Sequence, residues 1–263
     1  MTYANLLRNS RRLLYLRDLL RELVAREMKL RYKESLLGVA WSLLNPLLQL
    51  LIFNFVFRYV LPLNIPNYTA FLFVGLLVWN WFQSSIVAAA TAIVDGRSLI
   101  KRPGFPIPIL PVVTVTTNLV HFMLALPILA LFLLLTGIKL QATVVILPAV
   151  IIIQFLFTLS LAYFVATFHV WFRDTQHLVS VFMLFLFYLS PIFYDAGAIP
   201  GRYQIIYRLN PILQLLEAYR AILIQGALPH WAPLVTLTLI SAILLVLGYR
   251  LFMRTSYFFV EEL

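Results

Sequence analysis

Six long apolar segments constrain the fold more than any other feature of this sequence. A helix that crosses a bilayer needs about 20 apolar residues, and the segments that meet this length predict six transmembrane helices, at residues 36–59, 69–94, 107–136, 143–171, 178–194 and 231–253. Their apolar runs are continuous, whereas the strands of a membrane β-barrel alternate over about ten residues. The sequence therefore predicts an all-α polytopic membrane protein.

The scarcity of charge supports this class. Charged residues make up 11% of the 263 residues and apolar residues 62%, whereas a soluble domain carries about 25% charged residues to cover its surface. The net charge of +10 is typical of many nucleic-acid-binding proteins, but in a membrane protein the placement of charge matters more than its sum. We therefore expect membrane lipids and no nucleic acid among the partners.

Residues 1–35 are predicted to form a cytoplasmic amphipathic helix, and residues 36–263 one transmembrane domain. A basic amphipathic helix lies in the headgroup region, so the helix either anchors the chain to the membrane or docks a partner protein. The apolar side carries Leu13, Leu16, Leu19, Leu20, Leu23 and Val24, and the charged side carries Asp18, Arg21, Glu22, Arg26 and Lys29, with Arg17 as an exception.

The stretch RYKESLLGVAWSLLNPL, residues 31–47, joins this helix to the first span. Its basic head is followed by a long apolar run, so we place the change from surface helix to membrane span at about residues 34–36. Gly38 is expected to permit close approach of neighbouring backbones, and Asn45 and Pro46 are expected to kink the span.

The segment at residues 211–224 is the one apolar stretch that does not fit a span. It has about 14 residues and contains Glu217 and Arg220, which favours a re-entrant or interfacial helix. With six spans and both termini cytoplasmic, fifteen of the 20 Lys and Arg residues lie on the cytoplasmic side, as the positive-inside rule requires. We therefore predict that residues 195–230 form short re-entrant outer helices between the fifth and sixth spans.

Signatures of an enzyme or of an ion-coupled transporter are absent from the sequence. No glycine is followed by lysine, so the chain contains no P-loop, and its four histidines do not have metal-ligand spacing. Asn118, His121 and Gln154, which lie inside predicted spans, are expected to form hydrogen bonds to neighbouring helices. We expect a transport chain without catalytic residues, metal or cofactor, whose energy comes from elsewhere.

The inner loop after the second span, DGRSLIKRPGFPIP at residues 95–108, is where such energy would enter. Residues 97–102 are predicted to form one short basic helix between two glycine-containing turns. An ordinary basic loop of the kind that the positive-inside rule produces is the alternative, and charge alone does not separate the two.

Aromatic side chains are dense in the fifth span. Phe182, Phe185 and Tyr188 share one face of the predicted helix. Aromatic faces stack on the C–H faces of sugar rings, so this face is a candidate glycan surface. Lipid contact or helix packing is the competing interpretation.

Four motifs link the chain to a known family: the stretch at residues 31–47, FRD at 172–174, SPIFY at 190–194 and LNP at 209–211. In their order and spacing, over nearly the whole chain, they resemble the membrane subunits of type-2 ABC transporters. The resemblance is strongest to bacterial exporters of lipid-linked polysaccharide, of the O-antigen and teichoic-acid type.

This resemblance implies a homodimeric permease in the bacterial cytoplasmic (inner) membrane, with two copies of a separate P-loop ATPase subunit that carries ATP and Mg. The N-terminal helix and the loop after the second span would contact the ATPase. Coupling is thereby assigned to Arg97, Ser98, Leu99, Ile100, Lys101 and Arg102.

The resemblance also implies that the glycan passes between the two copies, along a channel lined by the first and fifth spans. The lipid diphosphate would enter near the cytoplasmic end of the first span, where cations suit it; attraction to anionic membrane lipid, about 1 kcal/mol per basic residue, is the alternative role for those cations. The channel candidates are Trp41, Phe53, Phe182, Phe185, Tyr188 and Tyr194, and the diphosphate candidates are Lys29, Arg31 and Lys33, with Arg26 assisting.

Two other functions remain open at this point. The first is a type-2 permease that moves a drug or a small lipid, an alternative that the aromatic face and the headgroup-level cations disfavour only modestly. A membrane glycosyl or acyl transferase would require clustered acids, or a histidine beside a carboxylate. The sequence offers only the scattered Asp195 and Glu217.

Overall fold

The computed structural model describes residues 2–33, 35, 40–60, 63, 65–204, 207 and 209–262, and within these ranges the chain is helical, without β-strands. The predicted transition at residues 34–36 lies mostly, and Gly38 wholly, outside the described residues. The helices are α1 (Thr2–Tyr32), α2 (Ala40–Phe55), α3 (Tyr68–Asp95), α4 (Arg97–Ile100), α5 (Ile109–Leu135), α6 (Leu147–Trp171), α7 (Thr175–Leu189), α8 (Pro211–Arg220) and α9 (Trp231–Glu262).

Four helical segments are long and apolar enough to cross a membrane: α3, α5, Ala142–Trp171 and Trp231–Phe259. The third of these is α6 together with the 3₁₀ turn that precedes it. Two apolar helices are shorter. Leu44–Val60 comprises α2 from Leu44 onward and the π-helical turn that follows it, and Thr175–Leu189 is α7. Each of the six predicted spans therefore coincides with an apolar helix, while the count of six crossings stays a prediction.

Helix α3 lies at the centre of the molecule. It packs against α2, α5, α6, α7 and α8, and 18 of its 28 residues are buried. The largest buried side chains of the core include Trp79, Phe73 and Phe82 from this helix. Of the other long helices, α5 and α6 pack directly against α3, while α1 packs on α5 and α9 packs mainly on α6.

The N-terminal helix α1 packs against another helix of the same chain, α5. Leu23 of α1 is buried against Ile109 and Val113 of α5, and the other apolar residues of α1 from Leu16 to Val24 surround this contact. Leu13, in contrast, is exposed. A helix thus forms over the predicted N-terminal region, and most of its apolar side is docked on α5.

The segment between α7 and α9, which is predicted to lie on the outer side, contains short helices. Two 3₁₀ turns, Ala196–Ala198 and Gly201–Tyr203, precede α8. Asn210 caps α8, since its side-chain oxygen accepts a hydrogen bond of 2.9 Å from the Ile212 amide. A π-helical turn follows α8 and ends at Gly226, whose φ of 63° suits glycine. Whether these helices re-enter the membrane stays a prediction.

Candidate functional site

The predicted short basic helix forms over Arg97–Ile100, and Lys101 and Arg102 follow it in a turn. Ile100 is buried in a core cluster with residues of α3, α5, α6 and α9, and Leu99 packs towards α1. The side chains of Arg97, Ser98, Lys101 and Arg102 are exposed. The six predicted coupling residues therefore divide into an apolar anchor and an exposed, mostly basic surface.

An open groove of about 830 Å³ separates α1 from the loop after α4. Arg26 and Lys29 of α1 line one wall, and Arg102 and Phe105 line the other. Lys29, predicted to bind a diphosphate, thus shares a groove with the predicted coupling residue Arg102.

Arg31 lies elsewhere, beside α5. Its Nη1 donates a hydrogen bond of 3.4 Å to Oδ1 of Asn118, and it lines a small pocket of about 90 Å³ with His121 and with Pro46 of α2. Lys33 is exposed in the turn after α1. The three predicted diphosphate residues therefore lie around the end of α1, without forming one closed pocket.

Three side-chain pairs form a polar seam between α1 and α5, which we call the α1–α5 seam. Thr117 donates to Oε2 of Glu27 over 3.3 Å, Arg31 donates to Asn118, and the Tyr32 hydroxyl lies 3.3 Å from Nδ1 of His121. The expectation that Asn118 and His121 pair with a neighbouring helix is confirmed. It is also confirmed for Gln154, which donates to the Val78 carbonyl of α3 over 3.1 Å.

Glu27 was missed by the analysis of the sequence, where it is one acid among several on a charged helix. In the structure it faces a crevice of about 530 Å³ shared with Arg31 and with Asp95 at the end of α3. Burial raises the pKa of the Glu27 carboxyl above its usual value, and the nearby Asp95 adds to this, while the Arg31 charge and the Thr117 hydrogen bond act against it.

Four of the six predicted channel residues are more than half exposed. They lie on the uncovered sides of α2 and α7, and they are Trp41, Phe182, Phe185 and Tyr188. Both helices thus leave an aromatic and aliphatic surface largely exposed in the single chain.

The other two channel candidates are packed. Phe53 lies in a cluster with Phe57, Phe187 and Phe193, and its ring is nearly parallel to that of Phe193, with 5.9 Å between the centroids. The Tyr194 hydroxyl donates to the Tyr188 carbonyl over 3.1 Å. The phenylalanine contacts join the C-terminal ends of α2 and α7, a role that was not apparent from the sequence.

Across the part of the chain that the structure describes, no three His, Asp or Glu side chains come together in a way that could hold a metal ion. The candidate site is instead a set of surfaces: the exposed basic turn at α4, the groove and seam along α1, and the open sides of α2 and α7. Such surfaces suit contacts with other chains, lipid or a long substrate.

Residues 18–224 match the family model described as ABC-2 type transporter. The chain belongs to this family, as a membrane permease. The resemblance seen in the motifs is therefore confirmed. Because the chain also has several helices long and apolar enough to cross a membrane, it is a multi-pass integral membrane protein. The family implies an ATPase partner.

Individual relatives match over nearly their whole length. The O-antigen export system permease protein RfbA of Myxococcus xanthus is 38% identical over 260 residues, 98% of this chain and 100% of the relative. A protein of the same name from Klebsiella pneumoniae is 33% identical over 250 residues, 95% of this chain and 96% of the relative. The polysialic acid transport protein KpsM of Escherichia coli is 25% identical over 235 residues, 88% of this chain and 90% of the relative.

Proposed function

We propose that this permease is the membrane subunit of an ATP-driven exporter of lipid-linked polysaccharide, of O-antigen or teichoic-acid type, in the bacterial cytoplasmic membrane. The observation that carries the proposal is the similarity, over 98% of the chain, to a permease of O-antigen export. ATP and Mg bind to a separate ATPase subunit, and this chain performs no catalysis.

The assembly that we propose contains two copies of the permease and two ATPase subunits. Each permease crosses the membrane six times, with both termini in the cytoplasm. The shortness of α2 and α7, 16 and 15 residues, is accommodated if these helices face the second copy, since a helix that lines an aqueous passage need not match the bilayer thickness.

The substrate path that we propose runs between the two copies, along the open sides of α2 and α7. Trp41, Phe182, Phe185 and Tyr188 are exposed there, and flat aromatic faces let sugar rings slide without fixed hydrogen bonds. Phe53 and Tyr194 support this wall from behind through their packing.

The lipid diphosphate is proposed to enter at the end of α1. Arg31 borders a pocket that reaches Pro46 of α2, and Lys33 and Lys29 add positive charge nearby. A guanidinium binds phosphate oxygens in a bidentate manner, whereas general attraction to anionic lipid needs only charge. Replacing Arg31 by lysine therefore separates the two roles, because only diphosphate recognition depends on the guanidinium.

Coupling is proposed to occur at residues 97–102 and along α1. Ile100 is held in the core while Arg97, Ser98, Lys101 and Arg102 are exposed, so a push on the exposed surface is transmitted to the ends of α3 and α5. We expect the ATPase to contact this surface.

The experiment that tests the proposal combines purification with a cellular assay. The tagged permease, expressed with its cognate P-loop ATPase, is expected to co-purify with that ATPase in nanodiscs, and deletion of the permease is expected to remove surface polysaccharide. As a control, the intact permease is expected to restore surface polysaccharide when it is expressed with the active ATPase. It is not expected to do so with an ATPase variant that cannot hydrolyse ATP.

Three results would contradict the proposal. If no ATPase co-purifies with the permease, the chain is not the membrane subunit of an ATP-driven exporter. Intact surface polysaccharide together with loss of drug or small-lipid efflux would favour the second class of type-2 permease. A glycosyl or acyl transfer activity of the purified chain alone would identify an enzyme.

A further inference from the structure

Arg220, the last residue of α8, is a buried arginine held by main-chain oxygens. Only 5% of its surface is exposed. Nη1 donates to the Pro191 carbonyl and Nη2 to the Ile192 carbonyl, each over 2.8 Å, and Nε and Nη2 lie 3.4 Å from the Phe71 carbonyl. The guanidinium also lies 3.3 Å from the centroid of the Phe71 ring. A buried charge is tolerated only when it is this fully bonded.

The two shortest hydrogen bonds of Arg220 go to one short segment, residues 190–194, which follows α7. We call this segment the outer turn. Ser190 and Ile192 in this turn are fully buried. The Phe193 carbonyl accepts a hydrogen bond of 3.0 Å from the Tyr68 hydroxyl of α3, and Asn210 donates to the Ser190 hydroxyl over 3.0 Å. Three successive carbonyls of the outer turn are therefore bound by side chains from α3 and α8.

Helix α3 makes room for this arrangement at Gly75. A Cβ atom at this position would lie 2.8 Å from Nη2 of Arg220 and 3.0 Å from the Ile192 carbonyl oxygen. The first separation is shorter than a carbon atom tolerates and the second is unusually tight, so a side chain here would push the guanidinium and the outer turn away from α3.

The opposite, inner end of α7 is packed less tightly, since Val179 there is only partly buried against the core. Met183 is the one buried residue of the helix, and Leu178 near its start is 68% exposed. The chain enters α7 through Phe172, which has an extended backbone and an exposed side chain. The helix is thus fixed at one end and loosely packed at the other.

We propose that Arg220 is a positioning residue that holds the outer end of α7 as a fixed pivot while the inner end swings during transport. The proposal rests on the proposed function, in which α7 borders the substrate path. A planar guanidinium reaches two successive carbonyls with two parallel donors, a geometry that the ammonium of lysine does not reproduce. The pivot therefore depends on the shape of the side chain and not on its charge alone.

Distance measurement between spin labels tests this directly, because the chain contains no cysteine. One pair, Leu178→Cys with Tyr257→Cys, reports on the inner end of α7, and a second pair, Leu189→Cys with Leu228→Cys, reports on the outer end. All four positions are exposed. Labelled chains are diluted with unlabelled chains and assembled with the ATPase subunit in nanodiscs, and distances are recorded with and without ATP.

In the otherwise unchanged chain we expect ATP to move the inner distance by several ångströms, on the order of one helical turn, while the outer distance stays narrow and unchanged. In Arg220→Lys and Arg220→Gln we expect the outer distance distribution to broaden. Export per ATP hydrolysed is expected to fall about tenfold while ATPase activity persists. Arg202→Gln, at an exposed arginine of the same outer segment, is the matched control and is expected to change neither readout.

If neither Arg220 variant folds, Gly75→Ala disturbs the same contact with the arginine in place, and it is expected to broaden the outer distribution. An outer distance that shifts with ATP as much as the inner one would overturn the pivot, and so would an Arg220→Lys chain that behaves like the unchanged protein. A complex that lacks the ATPase, or whose distances do not respond to ATP at either pair, would overturn the proposed function together with the pivot.

Discussion

Helices α3 and α7 are both apolar, yet α3 buries 18 of its 28 residues and α7 buries one of 15. Small residues explain the difference. Helix α3 contains Gly75, Ser85 and an Ala-rich C-terminal half whose buried alanines let neighbouring helices approach closely, whereas α7 has neither glycine nor alanine. In a membrane protein apolar composition thus indicates a hydrophobic environment, and small residues indicate which helix is surrounded by protein.

The largest effect expected from this comparison is on stability. Trp79→Ala in α3 removes a side chain that is 1% exposed and whose Nε1 donates to Oε1 of Gln83 over 2.6 Å. We expect a loss of about 3–5 kcal/mol in the free energy of unfolding. Leu184→Ala in α7, at a residue 57% exposed, should cost less than about 1 kcal/mol. Thermal unfolding in detergent measures both, and equal losses would contradict the contrast between the helices.

A second change tests whether the exposed basic turn after α4 couples α3 to the ATPase. The double variant Lys101→Glu and Arg102→Glu reverses two exposed charges just beyond α3 and α4. We expect unchanged folding and about a tenfold weaker association with the ATPase, equivalent to about 1.4 kcal/mol. Arg250→Glu with Arg254→Glu, exposed on α9, is the control. Normal export and ATPase stimulation in the first variant would make the loop a plain connector.

A third change sharpens the role of α7. Replacing Phe182 and Phe185 by alanine removes two exposed rings, so the free energy of unfolding should change by no more than about 0.5 kcal/mol. Export should fall several-fold, because each aromatic stack contributes about 0.5–1.5 kcal/mol. The matched control is Val181→Ala with Leu184→Ala. If export continues at the normal rate, the phenylalanines are lipid-facing or packing residues.

The smallest expected effect concerns pH, at the crevice beside the inner end of α3. Because burial raises the pKa of Glu27, the fold favours the neutral carboxyl. Its stabilising contribution is therefore present at low pH and is lost as the pH rises through the raised pKa. Glu27→Gln imitates the neutral form and should remove part of the difference in melting temperature between about pH 5 and pH 7. The exposed Glu22→Gln should leave that difference unchanged.

Much of the helical framework follows from the sequence alone. The second predicted span, 69–94, and the third, 107–136, differ by no more than two residues at either end from α3 and α5. The fifth, 178–194, is displaced, since α7 begins at Thr175 and ends at Leu189. Ser190 precedes a proline and is extended, so the apolar run continues where the helix stops. Helix α9, which contains the sixth predicted span, continues past that apolar segment to Glu262, because a helix does not have to end where it leaves the apolar region.

The contacts between distant residues could not be derived in the same way. Glu27 with Thr117, and Arg220 with Pro191, join residues on different helices, and no local pattern predicts which pairs meet. In the sequence, Arg220 indicates only a short outer helix, whereas its burial in the structure depends on the space left by Gly75. Helix periodicity determines which face is apolar, and tertiary packing determines which polar groups come together.

The α1–α5 seam has a consequence for how the chain is made. Its partners on α1 and α5 are about 90 residues apart in sequence. The ribosome adds about 5–20 residues per second. Helix α1 is therefore made roughly 5–20 s before the residues of α5 to which it binds. The groove between α1 and the loop after α4 is thus assembled only when the third long apolar segment has been inserted. A half-made permease therefore does not yet present this groove to a cytosolic subunit.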